Sequence, residues 1–214
     1  MYFHSRLEAG QKLAAELTQY ANMPCVVVAL STGAVAVGEQ IAAALGCKLT
    51  MLLSEDVSLP GEHMTLGTVG QDGSFVYNNM FSAGEIEEYY AEFHGYIDDQ
   101  KREKFADINR LLGAEGLFDA KMLKDHIVIL VSDGLKSGIS LTAAEQFLKP
   151  IRIKRLIIAT PIASVQAVDR MHIIADELHC LAATENYIKT SHYYDLNDTP
   201  SKEDIITKLK SLPQ

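Results

Sequence analysis

The chain has 214 residues, 48% of them apolar and 22% charged, with a formal net charge of −9. That length supports one sizeable core, and the composition is that of a globular protein rather than a disordered or fibrous one. The acidic balance disfavours nucleic acid and anionic membrane surfaces as partners, since both select basic surface.

No apolar run approaches the roughly 18 residues of a membrane span. The opening MYFHSRLEAGQKLAAEL reads as a polar lead into an amphipathic helix near 5–20, rather than as a secretion signal. CVVVAL (25–30) is a continuous apolar run, the mark of a parallel strand buried on both faces. Ser31-Thr32-Gly33 breaks it, and a small-residue helix follows to about Leu45. A second strand is expected from Lys48 to Leu53, ending at Ser54-Glu55-Asp56. Residues 60–80 read as a β-hairpin turning at QDGS. Residues 84–112 read as a polar helix with an apolar stripe (Tyr89, Tyr90, Phe93, Tyr96, Ile97, Phe105, Ile108, Leu112), which Gly95 is expected to interrupt.

The second half alternates regularly: strand 126–131, helix 139–148, strand 154–160, helix 164–174, strand 177–182. A tail with Tyr187, Tyr193 and Tyr194 leads to a last helix from Ser201, an N-cap candidate with Asp204 three residues on. Such alternation predicts an α/β protein with a doubly wound, mainly parallel sheet. Residues 1–214 are expected to form one domain, with 60–118 (hairpin plus long helix) as an inserted cap. Ligands of such sheets sit beyond the carboxyl ends of the strands, so Ser31-Thr32-Gly33, Ser54-Glu55-Asp56, Ser132-Asp133 and Thr160-Pro161 should converge on one cleft. Cys25, Cys47 and Cys180 are far apart and odd in number, and read as reduced thiols of a cytoplasmic protein. The histidines, His63 among them, show no zinc spacing.

The richest stretch is HIVILVSDGLKSGISLTAAEQFLK (126–149). An apolar strand delivers an acid, Asp133, to its end. A turn with Gly134, Ser137, Gly138 and Ser140 follows, and then a helix begins. Glycines let a backbone fold closely around an anion, and a helix N-terminus offers it unpaired N–H groups. The same residues also suit a plain strand-to-helix turn with Ser140 as N-cap.

VILVSDGLKSGIS is similar to the motif of the type I phosphoribosyltransferases, and FHSRLEAGQKLAAEL, VVALSTGAVAVGEQIAAALG, LPGEHMTLGTV and ADELHCL…YYDLND follow in the order of a bacterial group within that family. The resemblance implies the family's α/β fold and binding of phosphoribosyl pyrophosphate (PRPP), with phosphoribose transferred to a nitrogenous base and Mg²⁺ as cofactor. It implies Asp133 as the catalytic acid beside the ribose. Ser132, Gly134, Leu135, Lys136, Ser137, Gly138, Ile139 and Ser140 would surround ribose and 5-phosphate, and Ser31, Thr32 and Gly33 the pyrophosphate. Three positions depart from the pattern. Ser132 replaces the first acid, Thr32 stands where an arginine is usual, and Glu55-Asp56 fall at or near a usual basic pair. Glu55, Asp56 and Asp133 are the only metal candidates, with a solvated loop the alternative for the first two. A small-molecule partner, a homodimer and a non-catalytic, ligand-binding relative of the enzymes are the further readings.

Overall fold

The computed structural model describes residues 2–61, 64–113, 116–117, 120–197 and 199–211; His63 lies outside them. In chain order the elements are α1 (Arg6–Glu16), β1 (Cys25–Ala29), α2 (Thr32–Leu45), β2 (Lys48–Met51), β3 (Ser54–Ser58), β4 (Thr65–Gly70) and β5 (Phe75–Tyr77). They continue as α3 (Ala83–Leu112), β6 (Ile127–Val131), α4 (Ile139–Leu148), β7 (Arg155–Ser164), α5 (Val165–Ile174), β8 (Glu177–Thr184) and α6 (Lys202–Ser211).

Five strands form a parallel sheet in the order β2-β1-β6-β7-β8. All five residues of both β1 and β6 are buried, which is why these segments are apolar without alternation. Their side chains feed two cores. Val27, Ala29, Ile129 and Val131 pack with Leu13 of α1, Ile41 of α2, Ile108 of α3 and Leu209 of α6. Val26, Val28, Val128 and Leu130 pack on the other face with Leu141 of α4 and Met171 of α5. Each fully buried aliphatic side chain of this kind contributes about 1.5–3 kcal/mol, so the sheet interior is where the fold is held. The sheet is doubly wound, as the alternation predicts.

A second, antiparallel sheet (β3-β4-β5) stands at the carboxyl end of β2. Its hairpin turns at Gln71–Ser74, where the Asp72 carboxylate accepts from the Ser74 N–H (3.0 Å) and Oγ (2.6 Å). Gln71 anchors the hairpin to the main sheet by accepting from the Leu53 N–H at 3.1 Å. β3 replaces the loop expected at Ser54-Glu55-Asp56: only Val57 of its five residues is buried, and pairing with β4 holds it in place. Helix α3 is capped by a reciprocal Ser82–Glu85 box. It kinks at Phe93 (φ −119°, ψ 17°), not at Gly95. Of its stripe, Ile97, Ile108 and Leu112 are buried, whereas Tyr90 and Tyr96 are exposed.

Candidate active site

β1 and β6 are neighbours at the point where the connections leave in opposite directions, the place where open α/β sheets bind ligands. The turns after these strands face each other across a cleft of about 450 Å³. Ser31, Thr32, Glu55, Asp56 and every residue from Ser132 to Ser140 line it. Gly33 faces an adjoining pocket shared with Arg6 and Thr32. The fourth expected strand end does not join them. β7 runs on to Ser164, and Thr160 is fully buried, its hydroxyl donating to the Ile162 carbonyl at 3.1 Å.

The turn after β6 divides into two parts with different roles. Its first part is tied down. Ser132 Oγ donates to the Gly134 carbonyl (3.0 Å) and accepts from the Gly134 N–H (3.2 Å). Leu135 is 2% exposed and bridges to β7, its N–H donating to Ile162 and its carbonyl accepting from Ser164. Its second part is open. The backbone N–H groups of Lys136, Ser137, Gly138, Ile139 and Ser140 have no partner among the described residues, and neither do the Ser137 and Ser140 hydroxyls. Gly138 (φ 74°), not Ser140, occupies the N-cap of α4, and no side chain caps that helix. A left-handed residue turns the chain sharply there, which leaves successive N–H groups and the positive end of α4 facing the same cleft. The ammonium of Lys136 is exposed at its rim.

Asp133 is embedded rather than free. Arg6 Nε donates to its Oδ2 at 2.8 Å and Ser31 Oγ to its Oδ1 at 2.7 Å. Ser31 also caps α2, accepting from the Ala34 N–H at 3.0 Å. Gly33 allows this approach: a Cβ there would lie 2.0 Å from Asp133 Oδ2. Arg6 stacks over the Tyr194 ring (4.5 Å), and Tyr194 OH donates to the Asp133 carbonyl at 2.6 Å. Burial, followed by the neighbouring Asp133 charge, raises the Tyr194 phenol above its ordinary range. Tyr193 and Tyr194 thus belong to a buried cluster with Phe3. Tyr187 is half-buried, hydrogen-bonded to Thr190 (2.8 Å), and burial pushes its phenol up to about 12.

Lys202, at the start of α6, reaches the cleft and pairs with Glu55. It supplies a cation at the strand end where the sequence offers two acids. Asp56 accepts from Thr65 Oγ1 at 3.3 Å. Asp56 is exposed as a residue, but partial desolvation raises its carboxyl, and the Thr68 and Thr65 hydroxyls lower it. Arg6 and Lys202 escape the sequence reading, and so does the Tyr194–Asp133 contact, because each meets its partner from a distant part of the chain. A divalent cation such as Mg²⁺ needs several hard oxygen donors. Among the described residues no three His, Cys, Asp or Glu side chains gather, and Asp133 and Glu55 each already face a cation. This donor set forms no protein cage for Mg²⁺; a metal here would be held by one or two of these carboxylates together with substrate oxygens.

The phosphoribosyl transferase domain pattern matches residues 3–195. A Mycobacterium tuberculosis protein, provisionally named a phosphoribosyl transferase and present under that name in two strains, is 26% identical over 211 residues. The match covers 97% of this chain and 46% of that protein, so the chain spans about half the length of the curated relatives it matches. A crystal structure of a Thermus thermophilus protein is 26% identical, covers 98% of both chains and superposes with a TM-score of 0.69. The motif, the sheet and these likenesses agree: the chain belongs to the phosphoribosyl transferase domain family.

Proposed function

We propose that the protein binds PRPP, or another 5-phosphorylated ribose, in the cleft between β1 and β6 and transfers phosphoribose to a nitrogenous base. The observation that carries this reading is the run of five N–H groups from Lys136 to Ser140 that have no partner among the described residues, flanked by the Ser137 and Ser140 hydroxyls. Hydrogen bonds from such donors to an ionised phosphate are roughly twice as strong as neutral ones. With the phosphate there, the sugar extends toward Ser132 and Asp133, and the pyrophosphate toward Ser31, Thr32 and Gly33.

In the transfer, a nitrogen lone pair bonds to the anomeric carbon as the bond to the pyrophosphate oxygen breaks. Positive charge grows on the ribose ring and negative charge on the leaving group. Asp133 is the anion beside the ring. Lys136 and Lys202 are cations that line the cleft, and preorganised charge facing a leaving anion lowers a barrier. Sugar hydroxyls compete with Arg6 and Ser31 for the Asp133 carboxylate, so most of the binding energy comes from the phosphate. No step is assigned to Mg²⁺.

We read residues 1–214 as one domain, with 60–118 as a cap whose Thr65 borders the cleft. We further propose a cytoplasmic protein acting on small molecules, and a homodimer through the exposed tyrosines Tyr90 and Tyr96 of α3. Among the described residues no helix is long and apolar enough to cross a membrane.

Calorimetric titration with PRPP and Mg²⁺, followed by a pyrophosphate-release assay across purine and pyrimidine bases, tests this. Saturable heat and release with one base are expected. No heat at millimolar PRPP sinks the reading. Heat without release for any base marks a non-catalytic, ligand-binding relative.

A further inference from the structure

The end of the sheet away from the cleft opens into a second cavity, about 820 Å³, bordered by Cys25, Cys47, Lys48, Glu39 and His126. Cys25 is the first residue of β1, and Cys47 directly precedes β2. Val26 pairs with Lys48 across these parallel strands, so the two cysteines are the laterally matched positions one residue earlier. Lateral neighbours in a parallel pair share a face, and both cysteines do: Cys25 belongs to the core beneath α1 and α2, and Cys47 packs against it. Neighbouring strands lie about 4.8 Å apart, inside the roughly 4.4–6.8 Å between Cα atoms that a disulfide spans.

The two thiols lie close enough to shift each other's ionisation. That proximity eases loss of the first proton, from Cys25, and holds the second, on Cys47, above the ordinary thiol range. Cys25 is buried and Cys47 half-buried, and both border the open cavity. Cys180 differs. Its Sγ donates to the Ala182 carbonyl at 3.1 Å, and burial raises its pKa.

We propose that Cys25 and Cys47 form a dithiol oxidation site that a peroxide closes to a disulfide. The pair's thiolate sulfur takes one peroxide oxygen. The O–O bond breaks, and the released hydroxide leaves as water with the proton shed by that thiol. The second sulfur then attacks the resulting sulfenic acid. The S–S bond forms, the S–O bond breaks, and a second water carries away the second thiol proton. Two thiols and one hydrogen peroxide thus give one disulfide and two waters. The link ties the start of β1 to the start of β2 and encloses α2, whose N-terminal turn is Ser31-Thr32-Gly33.

The test is a graded hydrogen peroxide treatment of the folded chain, with iodoacetamide quenching and tryptic mass mapping. Both cysteines fall in one tryptic peptide, 13–48, and Cys180 falls in another, 171–189. Peptide 13–48 is expected to lose two hydrogens and both alkylation sites before Cys180 reacts, and dithiothreitol should restore them. Cys25→Ser and Cys47→Ser should each abolish the link. The proposal is overturned if peptide 13–48 stays doubly alkylated at a dose that oxidises Cys180, or if its cysteines oxidise separately. It is equally overturned if the link forms as fast in urea-unfolded chain, since the fold would then not set the pair.

Discussion

Nε of Arg6 lies 2.8 Å from Oδ2 of Asp133 across 127 positions of sequence, with both side chains only 10% exposed. Removing one partner of so buried a pair strands the other charge. Arg6→Ala should therefore cost about 3–5 kcal/mol in urea unfolding. The double variant with Asp133→Asn should recover part of that loss. Additive single effects would mean that the pair does not act as a unit.

Asp133→Asn also separates the two halves of the cleft. Ribose 5-phosphate should bind roughly tenfold more weakly, as expected when hydrogen bonds to a carboxylate are lost. Inorganic phosphate, held by the backbone of 136–140, should bind as before. Equal weakening of both ligands in calorimetry would count against the division of roles.

Gly33→Ala should damage the site directly. The added Cβ would meet Asp133 Oδ2 at 2.0 Å and Arg6 Nε at 2.6 Å, so one of the two must shift. Overpacking of this kind costs about 1–3 kcal/mol. A fall in Tm with a parallel loss of ribose 5-phosphate binding is the expected result. An unchanged Tm would show that the pair has room to move.

Lys202 and Lys136 should act on anions through charge rather than shape. Lys202→Met and Lys136→Met should each weaken pyrophosphate binding severalfold and flatten its dependence on salt, because exposed charges are screened by ions. Glu55→Gln should do the reverse, by releasing Lys202 from its partner. A Glu55→Gln chain that binds pyrophosphate no better than the parent would remove Lys202 from the site.

Alkali should loosen the tyrosine cluster under the turn. Tyr187 is pushed up to about 12 and Tyr194 is raised further by burial, against about 10 for an unfolded tyrosine. A group whose folded pKa is raised contributes its full stability below the unfolded value. Stability should therefore hold up to about pH 10 and fall as the pH climbs toward the folded values. Tyr194→Phe should shallow the decline in thermal unfolding between about pH 10 and 12. An identical slope would assign the loss to other groups.

The parts of the fold that sequence made legible are those whose burial is local. β1, β6 and α4 appear with little change, since unbroken apolar runs and a helical stripe need no partner to be recognised. β3 was hidden because SEDVS has one buried residue, and its strand character comes from pairing with β4. β7 runs four residues past the expected end at Thr160. Pro161 reads as a stop, but by then β6 has ended and a missing N–H costs no ladder bond on that side. In the site, the order strand, acid, glycine turn, helix pointed to the cleft where the structure brings these residues together. The engagement of Asp133 was illegible because Arg6 and Tyr194 lie 127 and 61 positions away.

The segments before α1 and after β8 are stitched together beside that acid. Phe3 donates to the Tyr193 carbonyl at 2.9 Å, and Asp195 donates back to the Phe3 carbonyl at 3.0 Å. A chain emerging from the ribosome can pair all five parallel strands once Thr184 is out. It cannot seat Arg6 and Tyr194 on Asp133 until ten further residues have followed. Completion of the cleft thus waits on residues that follow the last strand of the sheet, and loss of the Tyr194 contact would leave Asp133 without one of its anchors.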